Sequence, residues 1–382
     1  MKNRGEKLEL PICRVNLACV ALLGLLALAC GPSPRPVVPG DAAAYPTPLG
    51  NQRRAGYESE QVPAEPAVAW QVDAGSGIRG TVVLVDSAVV VATTNRQLLA
   101  FHTRDGRRYW DQRFGASVAS TLLYDRGKVF VGTTQYDGDL IALDITRARR
   151  LWRYRLGPIR FTPLLDGQVI YAGADNGNVA ALNTTSGARI WSIGLRNSIA
   201  QSPIDAGAHI IAFAENDSMY ALRKNDGGLL ARGHVGATPS ATPAVSGNTL
   251  IVPTQSGAVF GVDATSLATL WQVKADGPVL TPPAVTADGT AYIASRTGTL
   301  YRIRAGGQLE KVRDLGHAIS PSLTLTRDHL LIGSYDGTIM AVNFDGVVKW
   351  QFSLDDSVVA PVAVRDGAVY VPLLRGRIVK LQ

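Results

Sequence analysis

The chain has 382 residues, a formal net charge of +7 and a hydrophobic fraction of 46%, which is enough apolar material for a large core and unlike a disordered chain. Its basic residues are scattered along the sequence rather than grouped in a stripe, so we expect a solvated surface and no nucleic-acid partner. The three cysteines all lie in the first thirty residues, which excludes a disulfide framework, a cysteine nucleophile and a thiolate metal site in the rest of the chain.

Residues 1–29 have the organisation of a secretory signal peptide, because four basic residues precede an apolar run over residues 15–29. That run is too short for a comfortable membrane span. It ends in Leu26-Ala27-Leu28-Ala29-Cys30, which resembles a bacterial lipobox. The resemblance implies that Cys30 carries acyl chains such as palmitate and anchors the mature protein, outside the cytoplasm, to a membrane. In a host with two membranes, this would be the periplasmic face of the outer membrane. Plain secretion and an uncleaved signal anchor are the alternatives.

Residues 30–66 are rich in proline and show neither the strand nor the helix period. We interpret them as a flexible, partly extended tether from Cys30.

The rest of the chain is organised by its tryptophans, which follow one another at steps of 40, 42, 39, 80 and 79 residues. Each of the two steps of about 80 residues corresponds to two repeats of about 40 residues, of which one lacks its tryptophan. A repeat of about 40 residues is typical of a propeller or a solenoid. All six tryptophans take part: Trp70, Trp110, Trp152, Trp191, Trp271 and Trp350.

Each repeat has four short β-branched or aromatic runs separated by turn pairs such as Asp166-Gly167, Asn176-Gly177 and Ser186-Gly187. These pairs are strong hairpin signals. In the third repeat they predict strands at 160–165, 168–173, 179–183 and 189–193. Most first strands carry a Ser/Thr-Pro pair such as Thr162-Pro163, and proline belongs on an edge strand, so this strand is predicted to face the central channel.

Counting the repeats predicts an all-β fold, an eight-bladed β-propeller of four-stranded antiparallel blades over residues 67–382. The last repeat ends after its third strand, 377–381, whereas residues 67–72 form an outer strand that precedes any repeat. We therefore expect this N-terminal strand to complete the last blade and close the ring, giving a monomeric propeller.

The motif Ala181-Leu182-Asn183, Gly187 and Trp191 resembles the repeat of the quinoprotein (PQQ-repeat, WD40-like) propellers. The resemblance implies that the six tryptophans dock neighbouring blades and bind no quinone. Lipobox, tether and a single eight-bladed domain together resemble the BamB family of outer-membrane assembly lipoproteins. That family implies a non-catalytic scaffold of the cell envelope whose partner is a β-barrel assembly complex.

In that family, partner contacts come from a Leu-Arg segment that matches Leu195-Arg196 here, and from an acidic pair where this chain has residues 237–242 with no acid. From the residues alone, Arg79 and Arg160 occupy comparable positions at the entry to an inner strand. Both could bind an acidic partner at the channel mouth, or be solvated rim charges.

Two other functions stay open at this point. One is an extracytoplasmic ligand-sensing or ligand-binding lipoprotein of a lineage without the assembly machinery. The other is a quinone-dependent dehydrogenase, which would need a metal held by carboxylate and amide oxygens. We expect no enzyme, no quinone cofactor and no metal, because the aspartates occupy turn positions and the five histidines occupy unrelated repeat positions.

Overall fold

The computed structural model describes residues 60–118 and 122–382. The signal peptide, Cys30 and the tether up to residue 59 lie outside the described residues. The described chain forms 32 strands in eight four-stranded antiparallel sheets, together with one 3-10 turn at Ala305–Gly307. This confirms the all-β, eight-bladed propeller that the sequence predicts.

Each blade places its strands from the centre outwards in chain order, except the last blade. Blade 1 comprises β2 (Val83–Val85), β3 (Ala88–Ala92), β4 (Gln97–His102) and β5 (Arg108–Arg113), and blade 2 comprises β6 (Leu123–Asp125), β7 (Lys128–Gly132), β8 (Asp139–Asp144) and β9 (Arg149–Arg155). Blade 3 comprises β10 (Leu164–Asp166), β11 (Val169–Gly173), β12 (Asn178–Asn183) and β13 (Arg189–Gly194), and blade 4 comprises β14 (Ile204–Asp205), β15 (His209–Phe213), β16 (Ser218–Arg223) and β17 (Leu229–His234). Blade 5 comprises β18 (Ala244–Ser246), β19 (Thr249–Pro253), β20 (Ala258–Asp263) and β21 (Thr269–Lys274), and blade 6 comprises β22 (Ala284–Val285), β23 (Ala291–Ala294), β24 (Thr299–Arg304) and β25 (Gln308–Asp314). Blade 7 comprises β26 (Ile319–Leu325), β27 (His329–Ser334), β28 (Thr338–Asn343) and β29 (Val348–Ser353), and blade 8 comprises β30 (Ala363–Arg365), β31 (Ala368–Pro372), β32 (Arg377–Leu381) and β1 (Val68–Asp73).

The innermost strands are shorter than the sequence predicts. In blade 3 the expected strand 160–165 is only Leu164–Asp166, and the Thr162-Pro163 pair precedes it. Proline has no N–H to donate, so regular pairing begins after it. Only β26 extends through its proline, Pro321, and its pairing is irregular between Ile319 and Leu323.

Hydroxyl groups near these prolines connect neighbouring blades, a role that sequence reasoning missed. The Ser240 hydroxyl donates to the carbonyl of Val279 at 2.5 Å, and the Thr324 hydroxyl donates to the carbonyl of Val362 at 3.2 Å. The Ser320 hydroxyl donates to the carbonyl of Val358. Each bond joins the inner segment of one blade to that of the next, so the inner ring is held by hydrogen bonds as well as by apolar packing.

The tryptophans lie on the outer strands at the junctions between blades. Trp152 stands opposite Ala142 in the strand register, and its indole N–H donates to the carbonyl of Thr184 in the next blade at 3.0 Å. A Cβ on Gly187 would lie 2.6 Å from the Trp152 ring, so glycine leaves room for the indole. A tryptophan, a small cross-strand neighbour and a glycine of the next blade therefore interlock at this junction.

The ring closes as the sequence predicts. Strand β1 pairs with β32, with Trp70 opposite Lys380, and the innermost strands β2 and β30 also contact each other. Residues 60–66, assigned above to the end of the tether, pack against the propeller. Val62 is buried, and the carbonyl of Pro63 accepts the indole N–H of Trp350 at 2.9 Å. Pro63 thus supplies the carbonyl that a turn of the next blade provides elsewhere.

The two ends of the propeller carry different segments. The connections between blades lie beside the turns between second and third strands, as when Asp175 N–H donates to the carbonyl of Pro158 at 2.8 Å. We call this end the upper face. The turns between first and second strands and between third and fourth strands form the opposite end, the lower face, because antiparallel strands reverse direction at each turn.

Candidate partner-binding site on the upper face

The four residues predicted to bind a partner all lie in connections between blades, and therefore on the upper face. Arg79 precedes β2, Arg160 precedes β10, and Leu195 and Arg196 follow β13. Arg160 and Arg196 lie in consecutive connections on either side of blade 3. Arg79 lies two connections away from Arg160, so the fold does not group it with the others.

Arg160 bridges two neighbouring blades. Its Nε donates to Asp175 at 2.7 Å, and its Nη2 donates to Glu215 at 3.1 Å. The hydrogen bond to Asp175 is the main cause that raises the pKa of the Arg160 guanidinium above its ordinary value. The two carboxylates belong to the second turns of blades 3 and 4. The charge of Arg160 is therefore compensated within the protein, and the side chain fixes the relative position of these turns.

Leu195 is held in place by the fold, whereas Arg196 is exposed. The Leu195 N–H donates to the carbonyl of Gly177 at 2.7 Å, and its partly buried side chain packs against the cluster between blades 3 and 4. Gly177 is required there, since a Cβ would lie 2.0 Å from the Leu195 carbonyl oxygen. Arg196 is exposed and has no ion pair with any residue in the described ranges. The backbone is thus held in place while the guanidinium faces solvent.

Acidic residues do lie next to this segment, although not where the sequence analysis looked for them. The connection over residues 237–242 contains no acid, but Thr238 in it donates its hydroxyl to Asp217 at 2.6 Å and to the carbonyl of Glu215 at 2.8 Å. The second turn of blade 4 thus brings the Asp217 carboxylate to this connection, while the Glu215 carboxylate binds Arg160. Its sequence signal is Asp217, which takes the left-handed position (φ 63°) where five other blades have glycine.

Together these residues give the upper face of blades 3 and 4 an exposed cation beside a set of carboxylates. Asp175 and Glu215 hold Arg160, Asp217 holds Thr238, and Arg196 is left for another molecule. Such a surface can form charge-assisted hydrogen bonds with a protein partner of complementary charge.

Among residues 60–118 and 122–382, no group of three or more His, Cys, Asp or Glu side chains is arranged to hold a metal ion.

Within the same described ranges, we also find no helix long and apolar enough to cross a membrane.

A family model described as outer membrane protein assembly factor BamB matches the chain in three overlapping segments, residues 63–196, 155–272 and 215–307. Among curated relatives, the outer membrane protein assembly factor BamB of Shewanella oneidensis is 22% identical over 251 residues, covering 61% of this chain and 62% of the relative. That of Yersinia pestis is 26% identical over 251 residues, covering 61% and 63%. The matches thus span about three-fifths of the length of these relatives.

Solved structures share the fold at lower sequence identity. The crystal structure of BamB from Moraxella catarrhalis superposes with a TM-score of 0.68 at 16% identity, covering 83% of this chain and all of the other. A quinohemoprotein alcohol dehydrogenase from Comamonas testosteroni gives a TM-score of 0.68 at 15% identity, covering 88% and 80%. Scaffolds and dehydrogenases therefore share this propeller, and the fold alone does not separate them.

The family model covers residues 63–307, more than half of the 382 residues. The chain belongs to the family described as outer membrane protein assembly factor BamB.

Proposed function

We propose that this protein is a non-catalytic binding scaffold of the cell envelope, anchored through Cys30, that takes part in outer-membrane protein assembly. Family membership supports the assembly role, because the relatives carry that description. The lipobox-like sequence before Cys30 supports the anchor and an extracytoplasmic location.

The observation that carries the proposal is the exposed Arg196 on a fixed connection. In the family that the chain resembles, partner contacts come from the matching Leu-Arg segment. Here the Leu195 N–H donates to the carbonyl of Gly177, the Ser198 carbonyl of the same connection accepts the Glu215 N–H, and Arg196 between them is exposed. We infer that Arg196 binds an acidic or carbonyl-rich surface of a β-barrel assembly component. The hydrogen bonds from Arg160 to Asp175 and Glu215 fix the positions of the two neighbouring turns.

A pull-down from membranes of the native host tests this role. Tagged full-length protein is expected to recover a component of the β-barrel assembly machinery. Arg196→Glu is expected to reduce that recovery at least about tenfold, since truncating or reversing a charge in an interface typically costs more than about 1.4 kcal/mol. The matched control is Arg189→Glu, which makes the same charge change at an exposed residue of β13 outside the upper-face connections.

If the unaltered protein recovers no assembly component, the assembly role is wrong and the ligand-binding lipoprotein becomes the better hypothesis. If Arg196→Glu and Arg189→Glu reduce recovery equally, the assembly role stands but the contact is elsewhere.

A further inference from the structure

The lower face of blades 1 and 2 carries six exposed arginines, which we call the arginine patch. They come from the third turn of blade 1, the first turn of blade 2 and the third turn of blade 2, so they are far apart in sequence and neighbours in the fold. The arginine patch consists of Arg104, Arg107, Arg108, Arg126, Arg147 and Arg149. The expectation of scattered basic residues does not hold at this place.

Three carboxylates lie in the same turns, those of Asp105, Asp125 and Asp144, and they offset only part of the positive charge of the patch. Asp105 accepts the backbone N–H of Arg107 at 3.0 Å, and Asp144 accepts the backbone N–H and the hydroxyl of Thr146 at 2.9 and 2.6 Å. Only Arg126 has a carboxylate within ion-pair range, Asp125 at 3.8 Å. The other five arginines form no ion pair with any residue that the structure describes. Six arginines against these three aspartates leave the patch a net charge of +3, carried by exposed side chains.

The corresponding turns of blades 3 and 4 differ in this respect. Lys224 lies 2.7 Å from Asp166 and 2.8 Å from Asp205, and Arg223 lies 2.6 Å from Asp226. These two cations are therefore paired within the protein, and of the described arginines on that part of the lower face only Arg189 is exposed without an ion pair. The excess of unpaired arginines on the lower face is thus specific to blades 1 and 2 and is not repeated in blades 3 and 4.

The N-terminal segment leaves the propeller from the same face. The carbonyl of Glu60 accepts the N–H of Arg327 at 2.9 Å, and its carboxylate accepts the N–H of Asp366 at 3.0 Å. These two residues belong to the first turns of blades 7 and 8, and blade 8 borders blade 1. The tether that the sequence predicts from Cys30 would therefore join the propeller at this face, which is the face nearest to the proposed anchor along the chain.

We propose that the arginine patch binds the anionic phospholipid headgroups of the membrane in which the N-terminus is anchored. This inference rests on the proposed membrane anchorage and goes beyond it by assigning a second contact with the lipid. Guanidinium groups form bidentate hydrogen bonds with phosphate oxygens, and each cation near an anionic surface adds to membrane affinity. With the lower face on the membrane, the upper face and Arg196 point away from it, towards soluble partners.

Vesicle binding tests the proposal without any assembly component, so it can fail or succeed independently of the pull-down. The full chain carrying Cys30→Ser, which cannot be acylated at that position, is sedimented with vesicles of phosphatidylcholine, alone or mixed with phosphatidylglycerol. We expect phosphatidylglycerol to strengthen binding, and added salt to reverse that gain. The triple variant Arg104→Gln, Arg107→Gln and Arg149→Gln should lose about 100-fold in affinity for the mixed vesicles, about fivefold per charge.

The matched control removes three exposed arginines from second turns on the upper face, by Arg96→Gln, Arg296→Gln and Arg375→Gln. It has the same net charge and the same residues 1–29 and should bind like the parent chain. Lysine replacements at the three patch positions should restore most of the affinity, which separates lost charge from misfolding. Equal losses in the patch and control variants would overturn the proposal. So would binding that phosphatidylglycerol does not strengthen, which is the outcome expected if the patch serves an acidic protein instead.

Discussion

Leu267, in the third turn of blade 5, and Ala231, on the outer strand of blade 4, lie in one hydrophobic cluster, in the place where four other junctions pair a glycine with a tryptophan. Ala231 stands opposite Ala221 in the register that puts Trp191 opposite Ala181. Leu267 takes the left-handed turn position (φ 59°) that glycine takes elsewhere, and it is 2% exposed. At this junction the outer-strand residue is a small alanine instead of tryptophan, and the turn residue is a leucine instead of glycine. The leucine side chain therefore fills the junction.

A double-mutant cycle tests this exchange. We expect Ala231→Trp alone to destabilise the protein by about 1–3 kcal/mol because the indole would meet Leu267. Leu267→Gly alone should cost about 2–4 kcal/mol through the cavity that it leaves. The double variant restores the arrangement of the other junctions and should recover at least about 1 kcal/mol of the summed losses, as measured by chemical unfolding. Additive losses would show that the two residues do not share the space.

The junction between blades 1 and 2 contains an uncompensated mismatch. Trp110 is buried, but its indole N–H has no hydrogen-bond partner among the described residues. Ala148 occupies the glycine position of the next turn at φ 49°, beside a cavity of about 230 Å³. This junction has the tryptophan but has alanine, with its Cβ, where four other junctions have glycine.

Replacing Ala148 by glycine should therefore stabilise the protein. Relief of the left-handed conformation is worth about 1–2 kcal/mol and the added freedom of glycine costs about 0.5–1, which leaves a gain of about 0.5–1 kcal/mol. The converse change, Gly187→Ala, should destabilise by about 2 kcal/mol or more, because the Cβ would lie 2.6 Å from Trp152. Thermal unfolding measures both, and a loss of stability in Ala148→Gly would contradict this explanation of the junction.

The sequence predicts this fold well because its signals are local. Alternating strands and turn glycines recur every 40 residues, and the surplus strand at Trp70 locates the ring closure. The loss of tryptophan at Ala231 can also be seen in the sequence. Its replacement by Leu267 cannot, because the two residues belong to different repeats and meet only when the blades pack.

The candidate site likewise combines features that the sequence predicts with features that only the folded chain shows. The register places Leu195-Arg196 in a connection between blades, and the structure agrees with that location. The bond from Arg160 to Glu215 joins residues 55 positions apart, and no local pattern predicts it. Asp217 could have been found, because it stands in a turn where most other blades have glycine.

Residues 60–66 should contribute to stability although they precede the first strand. Val62 is 6% exposed in the cluster that joins blades 7, 8 and 1, and Trp350 donates to Pro63. We expect Val62→Ala to lower the free energy of unfolding by about 2 kcal/mol, and Trp350→Phe to lower it by at least about 1 kcal/mol through loss of the hydrogen bond. Val68→Ala, at an exposed position of β1, is the control and should change it little. Equal small effects at Val62 and Val68 would show that this segment is not part of the folded unit.

Asp276, in the connection before blade 6, should make stability depend on pH in the acid range. Burial raises the pKa of its carboxyl, but hydrogen bonds from the hydroxyls of Ser295, Thr299 and Thr297 outweigh burial and hold the pKa below its ordinary value. Because the unfolded chain binds the proton more readily, the contribution is fully present above the unfolded pKa of about 4 and is lost as the pH falls through the folded pKa.

Asp276→Asn should accordingly be less stable than the parent by on the order of 1 kcal/mol near neutral pH, and the difference should shrink as the pH falls below about 4. Urea unfolding at a series of pH values measures this difference. Asp111→Asn, at an exposed position of β5, is the control and should follow the parent curve throughout. A gap between Asp276→Asn and the parent that stays constant down to the lowest pH would mean that the carboxylate charge is not what the three hydroxyls stabilise.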